Sequence, residues 1–249
     1  MGVRFALQTS MDRRVIFSLI IGAAVANGID ARAGAAGSSG SAPLQRFFDG
    51  DHRGPQQYRA LRHFEARTEK LDKSAWMDVW TEADPSGFRY DVVAEGGSGY
   101  IRSHVFEKAL ETERKMWSDG SAERGAINRE NYAFLECDTE TEGLSCVALK
   151  PRRKDVLLVD GSIFLHPDTG DLVRVEGTLV KTPSFWTRSV EILRRYERIS
   201  GVRVPVEFAS TASVRLAGFS SMRVTYEYET LNGMRVGSPE VSAKAYARR

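Results

Sequence analysis

The chain has few of the residues from which catalytic and metal sites are usually built. Its 249 residues include two cysteines and four histidines. The histidines are far apart and form no H-E-x-x-H, H-x-H or Cys/His pattern; they are His52, His63, His104 and His166. Residues 96–99 are glycine-rich but lack the lysine of a phosphate-binding loop, and no G-x-S-x-G turn is present. We therefore expect a turn at 96–99, and neither an enzyme, nor a metal, nor a cofactor.

Neither sign of charge is in excess. Lysine and arginine total 35 against 33 for aspartate and glutamate, and the two signs are interspersed along the chain. Such mixing is typical of a solvated outer face rather than of a dedicated basic surface. We therefore expect no nucleic-acid partner.

The one marked apolar run, 15–26, is short for a membrane-spanning helix, which needs roughly 20 apolar residues. It follows a positive start at 12–14 and precedes a small-x-small motif at 31–33. This order is typical of an export signal, so we predict a signal peptide at 1–33 and a soluble periplasmic protein after cleavage. Cleavage at 24–26 and an uncleaved anchor are the alternatives.

One domain is expected after the signal. Residues 34–54 begin with a Gly/Ala/Ser run that has no periodicity, which predicts a flexible leader. The composition then stays uniform and no repeat is present, so 55–236 is predicted to be a single domain. Residues 237–249 are predicted to be a flexible tail.

The two cysteines, Cys137 and Cys146, lie in two short segments that predict neighbouring strands. In an oxidising compartment they could be bridged across a hairpin. The sequence does not determine the register between these strands, so both the bridged and the free form remain open.

Alternation of apolar and polar residues is the strongest positive signal. Between 172 and 180, Val173, Val175 and Leu179 fall on one side of a strand, because successive side chains point to opposite faces. The same period predicts strands near 76–81, 88–94, 132–138, 144–150, 156–165, 171–181, 186–198, 202–215 and 219–230. The segment 184–199 can also be drawn as a helix, but its neighbours on both sides favour a strand.

Two segments carry apolar residues at helical spacing. In 55–74, Tyr58, Leu61, Phe64 and Leu71 follow one stripe after a proline at the helix start. In 103–118, the stripe is Val105, Phe106, Ala109, Leu110, Glu113 and Trp117. We therefore predict an α+β protein in which two helices accompany a long antiparallel sheet.

Such a sheet has one apolar, aromatic face, which must be covered by another element or hold something apolar. A small lid over a curved sheet leaves a cavity that suits an apolar ligand. Each aromatic residue also has the simpler interpretation of a core residue. The predicted cavity lining is Phe88, Tyr90, Val92, Val173, Val175, Val204, Val206, Val224, Tyr226 and Tyr228, with Trp76, Trp80 and Trp186 near the rim.

Several motifs resemble those of the LolA-like superfamily, the exported proteins that sort outer-membrane lipoproteins. They are DGSI at 160–163, DTGDLVRVEG at 168–177, KTPSFW at 181–186, RY at 195–196 and GVRVP at 201–205, with NYAF at 131–134 and KPRRKD at 150–155 upstream. The resemblance covers roughly 55–233 and assigns no residue to the arginine that gates the cavity in the family's carriers. It implies an unclosed half-barrel, a curved antiparallel sheet whose concave face is covered by helices.

The resemblance also implies a function. Cavities of this family take the acyl chains of lipoproteins or other lipids during transit across the periplasm. We therefore expect a carrier without covalent chemistry, whose partners are lipid or acylated lipoprotein cargo and possibly inner- or outer-membrane donor and acceptor proteins. The alternative is a periplasmic sensor or protein-interaction module, in which the apolar face is only core. An enzyme with an unrecognised site comes third.

Overall fold

The computed structural model describes residues 41–50, 54–137, 143–185, 187–215 and 218–239. Eleven strands in these ranges form one antiparallel sheet. They are β1 (Tyr58–Thr68), β2 (Lys73–Asp84), β3 (Gly87–Gly97), β4 (Tyr132–Glu136), β5 (Ser145–Pro151), β6 (Val159–Leu165), β7 (Leu172–Leu179), β8 (Thr187–Ile199), β9 (Val202–Val214), β10 (Gly218–Leu231) and β11 (Met234–Arg235).

The sheet is curved and does not close. Its strand order is β3-β2-β1-β10-β9-β8-β7-β6-β5-β4, with β11 paired to β10, so β3 and β4 are the two edges. Strands β4 to β10 follow chain order, as expected for short hairpin connections. The β1–β10 pairing then joins the first three strands to the last long one. The expected α+β fold with an unclosed antiparallel sheet is confirmed.

All nine strands predicted from the alternation are present, with bounds shifted by a few residues. The segment that could also be drawn as a helix forms strand β8, whose buried residues alternate with exposed or half-buried ones from Val190 to Tyr196. The Asp84–Gly87 turn joins β2 and β3 as a hairpin, also as predicted. Period-2 patterning was therefore a reliable guide through this part of the chain.

The predicted helix at 55–74 is wrong, because 58–68 forms strand β1. Alternate side chains of β1 face a common interior; they are Tyr58, Ala60, Arg62, Phe64, Ala66 and Thr68, each at most 7% exposed. Arg62 places a charge on the buried side and Leu61 places an apolar residue on the other side. Because the polar and apolar residues are exchanged at these two positions, the strand-like alternation is hidden in the sequence. The helical spacing of the apolar residues is then the stronger pattern.

In the described ranges, two helices and a short 3-10 helix, Ser121–Gly125, accompany the sheet. The predicted second helix is present as α2, residues 99–119, built from an α-helical turn Gly99–Ile101, a π-helical turn Arg102–Phe106 and an α-helix Glu107–Asp119. A glycine in the left-handed region adjoins it at either end, Gly97 with φ +77° and Gly120 with φ +68°. Residues 96–99 comprise the end of β3, one connecting residue and the start of α2, and the chain changes direction at Gly97, because glycine adopts such a φ without strain.

The other helix, α1 (Ala42–Asp49), was not predicted; it lies within the segment expected to be a leader. Its Leu44 and Phe47 are buried. The turn between β6 and β7 fits closely beneath it, since a Cβ on Gly170 would lie 2.7 Å from the backbone nitrogen of Phe47. The α1 helix is therefore packed on the sheet.

The buried apolar residues form two main clusters. The first combines α2 with residues of strands β1–β3 and β6–β10, and includes Phe64, Met77 and Val224. The second lies over β4–β8 and contains Phe47 of α1 and Tyr132. We call the sheet face that carries the first cluster the inner face and the opposite one the outer face.

A disulfide and a close approach between two strands occur in the part of the sheet formed by β4–β7. Cys137 and Cys146 are joined by a disulfide with a Cα–Cα distance of 5.4 Å, the bridged one of the two forms left open by the sequence. Gly161 and Gly177 face each other across β6 and β7, where a Cβ on Gly161 would lie 2.5 Å from the Cα of Gly177. Glycines in the motifs at 160–163 and 168–177 thus allow the two strands to approach closely.

No helix of the described part is long and apolar enough to cross a membrane.

Candidate functional site

The inner face beneath α2 is a broad apolar surface. Strands β1, β2 and β10 form its centre, where Phe64 pairs with Met77 on one side and with Val224 on the other. All three side chains are at most 1% exposed. The surface continues onto β3 through Phe88 and onto β9 through Phe208. With further residues from β6, β7 and β8, eight strands contribute to one apolar layer.

Helix α2 covers this layer with its own apolar stripe. Ile101, Val105, Phe106, Ala109 and Leu110 are each at most 2% exposed. The ring centroids of Phe106 and Phe64 are 5.4 Å apart, which brings the helix and β1 into direct contact. The interface between α2 and the sheet is therefore closely packed at these residues.

Polar contacts attach the outer edge of α2 to the β2–β3 hairpin. The Tyr90 hydroxyl donates to Glu111 over 2.7 Å, and the Arg114 guanidinium lies 4.8 Å from the centre of the Tyr90 ring. The indole N–H of Trp117 donates to the Asp84 carbonyl over 3.1 Å. Burial, followed by the bond to Glu111, raises the pKa of Tyr90 to about 12.

A buried ion pair lies within the apolar interface. Arg62 projects inward from β1 and Glu113 projects from α2, and their side chains are 2% and 5% exposed. The guanidinium donates to both carboxylate oxygens, at 2.6 and 2.9 Å. Its Nη2 also donates to the Tyr58 hydroxyl at 2.5 Å. The pair is bidentate, the geometry that best suits arginine and a carboxylate.

Aromatic rings surround the ion pair. The Arg62 guanidinium lies 4.8 Å from the ring centre of Tyr226 and 5.5 Å from that of Phe88. Burial alone would lower the pKa of Arg62, but the Glu113 carboxylate and Tyr58 raise it well above its ordinary value. Burial raises the pKa of Tyr226 to about 12. Arg62 is therefore charged and Tyr226 neutral at physiological pH.

Seven of the predicted lining residues lie in the first cluster or against it. Phe88 and Val224 are buried on the inner face, and Tyr90 and Val92 are partly buried beside them. Val204, Tyr226 and Tyr228 are also buried in this cluster, and the Tyr228 hydroxyl donates to the Pro205 carbonyl. The structure therefore brings these side chains together on one side of α2.

The remaining predicted residues are placed elsewhere. Val175 is buried in the second cluster, while Val173 and Val206 are half-buried and belong to neither main cluster. Trp76 and Trp80 lie on the outer face of β2, since their neighbours Ala75, Met77 and Val79 face inward. Trp186 lies outside the described residues. Trp80 is covered by Arg59, whose guanidinium is 3.9 Å from the ring centre.

Arg62 and Glu113 were not among the predicted site residues. A signal was present, because Glu113 lies on the apolar stripe of a predicted helix. A lone carboxylate on such a stripe calls for a buried cation elsewhere. Its partner could not be identified, because Arg62 was assigned to a helix surface instead of the interior of a strand.

The outer face has a separate groove of about 530 Å³. Its lining comes from β1, β2, β9 and β10, and includes Trp76, Arg67 and Arg223. The inward side chains at the same level, such as Ala66 and Met222, are buried. The groove therefore opens away from α2. In the described part of the chain, no group of three His, Cys, Asp or Glu side chains could hold a metal ion.

Three solved structures are similar to parts of this chain. A DUF1329 family protein from Desulfovibrio piger matches 74% of this chain and 88% of its own length, with 11% identity and a TM-score of 0.37. A LolA superfamily protein from Nitrosomonas europaea matches 80% of this chain and 93% of its own length, with 10% identity and a TM-score of 0.34. A lipovitellin matches 78% of this chain and 27% of its own length, with 6% identity and a TM-score of 0.30.

The second of these neighbours is a LolA superfamily protein, the superfamily whose motifs the sequence resembles. These likenesses concern the fold alone, at TM-scores below 0.5. No protein-family model and no curated protein matches the chain.

Proposed function

We propose that this protein is an exported periplasmic carrier that holds a lipid, or the acyl chains of a lipoprotein, between the inner sheet face and α2. The observation that carries the proposal is the Arg62–Glu113 ion pair, buried where an apolar helix meets an apolar sheet. Replacing such a pair by apolar residues often leaves a protein equally or more stable, so the pair is a poor device for permanent packing. Such a pair suits a contact between α2 and the sheet that must form in one register and must also be able to separate.

Apolar burial supplies enough affinity for this function. Each buried methylene contributes about 0.8 kcal/mol, so ten methylenes of an acyl chain contribute roughly 8 kcal/mol before ordering costs. The inner face offers apolar and aromatic side chains from eight strands. No covalent step and no cofactor is needed.

Loading requires α2 to move, because the interface is packed in the described form. The glycines at its two ends, Gly97 and Gly120, are the positions where the chain most readily changes direction. The π-helical turn at Arg102–Phe106 adds a local irregularity, a feature often found at functional positions of helices. The helix would then act as a lid attached at both ends.

A second candidate is a sensor or protein-interaction module of the same fold. The observation that favours it is the packing itself, since Phe106 and Leu110 of α2 are fully buried against the sheet. In that case the inner face is only core, and α2 stays closed.

Native mass spectrometry of the protein purified from its own cell envelope, followed by organic extraction, distinguishes these functions. We expect a co-purifying lipid or acylated peptide, and uptake of a fluorescent fatty acid by the stripped protein. Clean protein that takes up no fatty acid would contradict the carrier and favour the interaction module.

A variant pair locates the site. Val224→Asp puts a charge on the inner face and is expected to weaken fatty-acid uptake by at least about tenfold, because an acyl chain cannot solvate a carboxylate. Thr225→Asp, one residue along on the outer face, is the matched control and should bind as the unmodified protein does. A folded Val224→Asp protein with full uptake would exclude the inner face as the binding surface.

A further inference from the structure

Three turns meet at one end of the sheet. Thr187 and Gly218 both pair with Val214, which brings the start of β8 beside the β9–β10 turn. The backbone N–H of Glu69 donates to the Phe219 carbonyl over 3.0 Å, so the β1–β2 turn lies on the other side. We call this end the tip and define it by Phe185, Phe219, Arg215, Arg188 and Lys70.

The tip exposes two phenylalanines to solvent. Phe185 is 74% exposed and Phe219 is 54% exposed, although the same molecule buries Phe47, Phe64, Phe106 and Phe208 almost completely. One exposed apolar side chain is ordinary on a protein surface. Two phenyl rings on adjoining turns, however, are typical of a surface that enters an apolar medium.

Cations surround these two rings. The Arg215 guanidinium lies 4.7 Å from the ring centre of Phe185, and the Lys70 side chain lies against Gly218, next to Phe219. Arg188 is exposed on the bulged start of β8. The acidic side chains of the β1–β2 turn are Glu69 and Asp72, and Asp72 faces Arg67 at 3.8 Å. The tip is therefore basic, although the whole chain is nearly neutral.

We propose that the tip docks this protein on an anionic lipid surface. Phe185 and Phe219 would enter the boundary between headgroups and acyl chains, and the surrounding cations would lie at the level of the phosphates. Two exposed rings beside neighbouring turns form a small apolar contact. A stable protein partner would instead require a broad patch of roughly 800 Å² on each side. Docking needs no movement of α2 and stands whether or not the inner face holds a lipid.

Flotation with lipid vesicles tests this surface. The assay uses the protein as it is isolated from its own cells. The protein is expected to bind vesicles of equal phosphatidylcholine and phosphatidylglycerol more tightly than vesicles of phosphatidylcholine alone, and to release as salt rises. The Phe185→Ala/Phe219→Ala variant should lose at least about tenfold in binding, because both apolar anchors are removed. Arg215→Gln and Lys70→Gln should each lose about fivefold on anionic vesicles only.

Matched controls lie far from the tip. Leu135→Ala removes a side chain of similar exposure (53%) from edge strand β4, and Lys115→Gln removes an exposed cation from α2. Both should bind vesicles as the unmodified protein does. Unchanged binding by the tip variants, equal binding to neutral and anionic vesicles, or no vesicle binding by the unmodified protein would each overturn the proposal.

Discussion

Among the described residues, Arg62 is the one arginine in the group of largest fully buried side chains. Its Nη atoms are satisfied by Glu113 and Tyr58, whereas its Nε has no hydrogen-bond partner in the described residues. A charge in such surroundings is tolerated only because its counter-ion is buried with it. The two residues must therefore be considered as one unit that connects β1 to α2.

This coupling leads to a prediction about single and double substitutions. Arg62→Met or Glu113→Leu alone should lower the free energy of unfolding by about 3–5 kcal/mol, because each leaves an uncompensated buried charge. The double variant should be as stable as the unmodified protein or more so. Denaturant unfolding of the four proteins measures this cycle.

Additive costs in that cycle would contradict the assignment of Arg62 and Glu113 to one unit. Arg59→Met is a suitable control, since Arg59 lies on the outer face of β1 and pairs with Glu82 and Glu229 at partly exposed positions. An exposed pair is typically worth below about 1 kcal/mol, so this change should have a small effect.

For the helices and strands, prediction from the sequence is correct where several neighbouring segments show the same pattern. Strands β6 to β10 support one another as a meander, and β8 and β10 show clear alternation. Strand β1 does not, because Arg62 interrupts its apolar side. The α1 helix has only eight residues beside a run of small residues, so no periodicity could develop. The Arg62–Glu113 pair is missed for a different reason, since its two charges lie on elements that are distant in sequence.

Substitutions in α1 measure how much this helix contributes to stability. Phe47 is fully buried in the second cluster, so Phe47→Ala should lower the free energy of unfolding by about 3–5 kcal/mol. Phe48, the next residue, is half-buried against Phe134, and Phe48→Ala should cost clearly less. Thermal and denaturant unfolding compare the two. Equal, small losses would mean that α1 contributes little to the stability of the sheet.

In the whole molecule, the two main apolar clusters are covered by helices that pack on the sheet in different ways. The second is covered partly by α1, which the β6–β7 turn contacts closely at Gly170. The first is covered by α2, which combines apolar packing with a buried ion pair and has a left-handed glycine adjoining each end. If one cover opens while the sheet stays folded, α2 is the one built to do so.

Hydrogen exchange measures that opening. Amides of α2 should exchange through local opening at a lower free energy than amides of β1, β9 and β10, which have partner strands on both sides. The Arg62→Met/Glu113→Leu variant should protect α2 more strongly and leave these strands unchanged, because the apolar pair costs nothing to bury and more to expose. Exchange of α2 only by global unfolding would make it a permanent part of the core, and the inner face would then be closed to lipid.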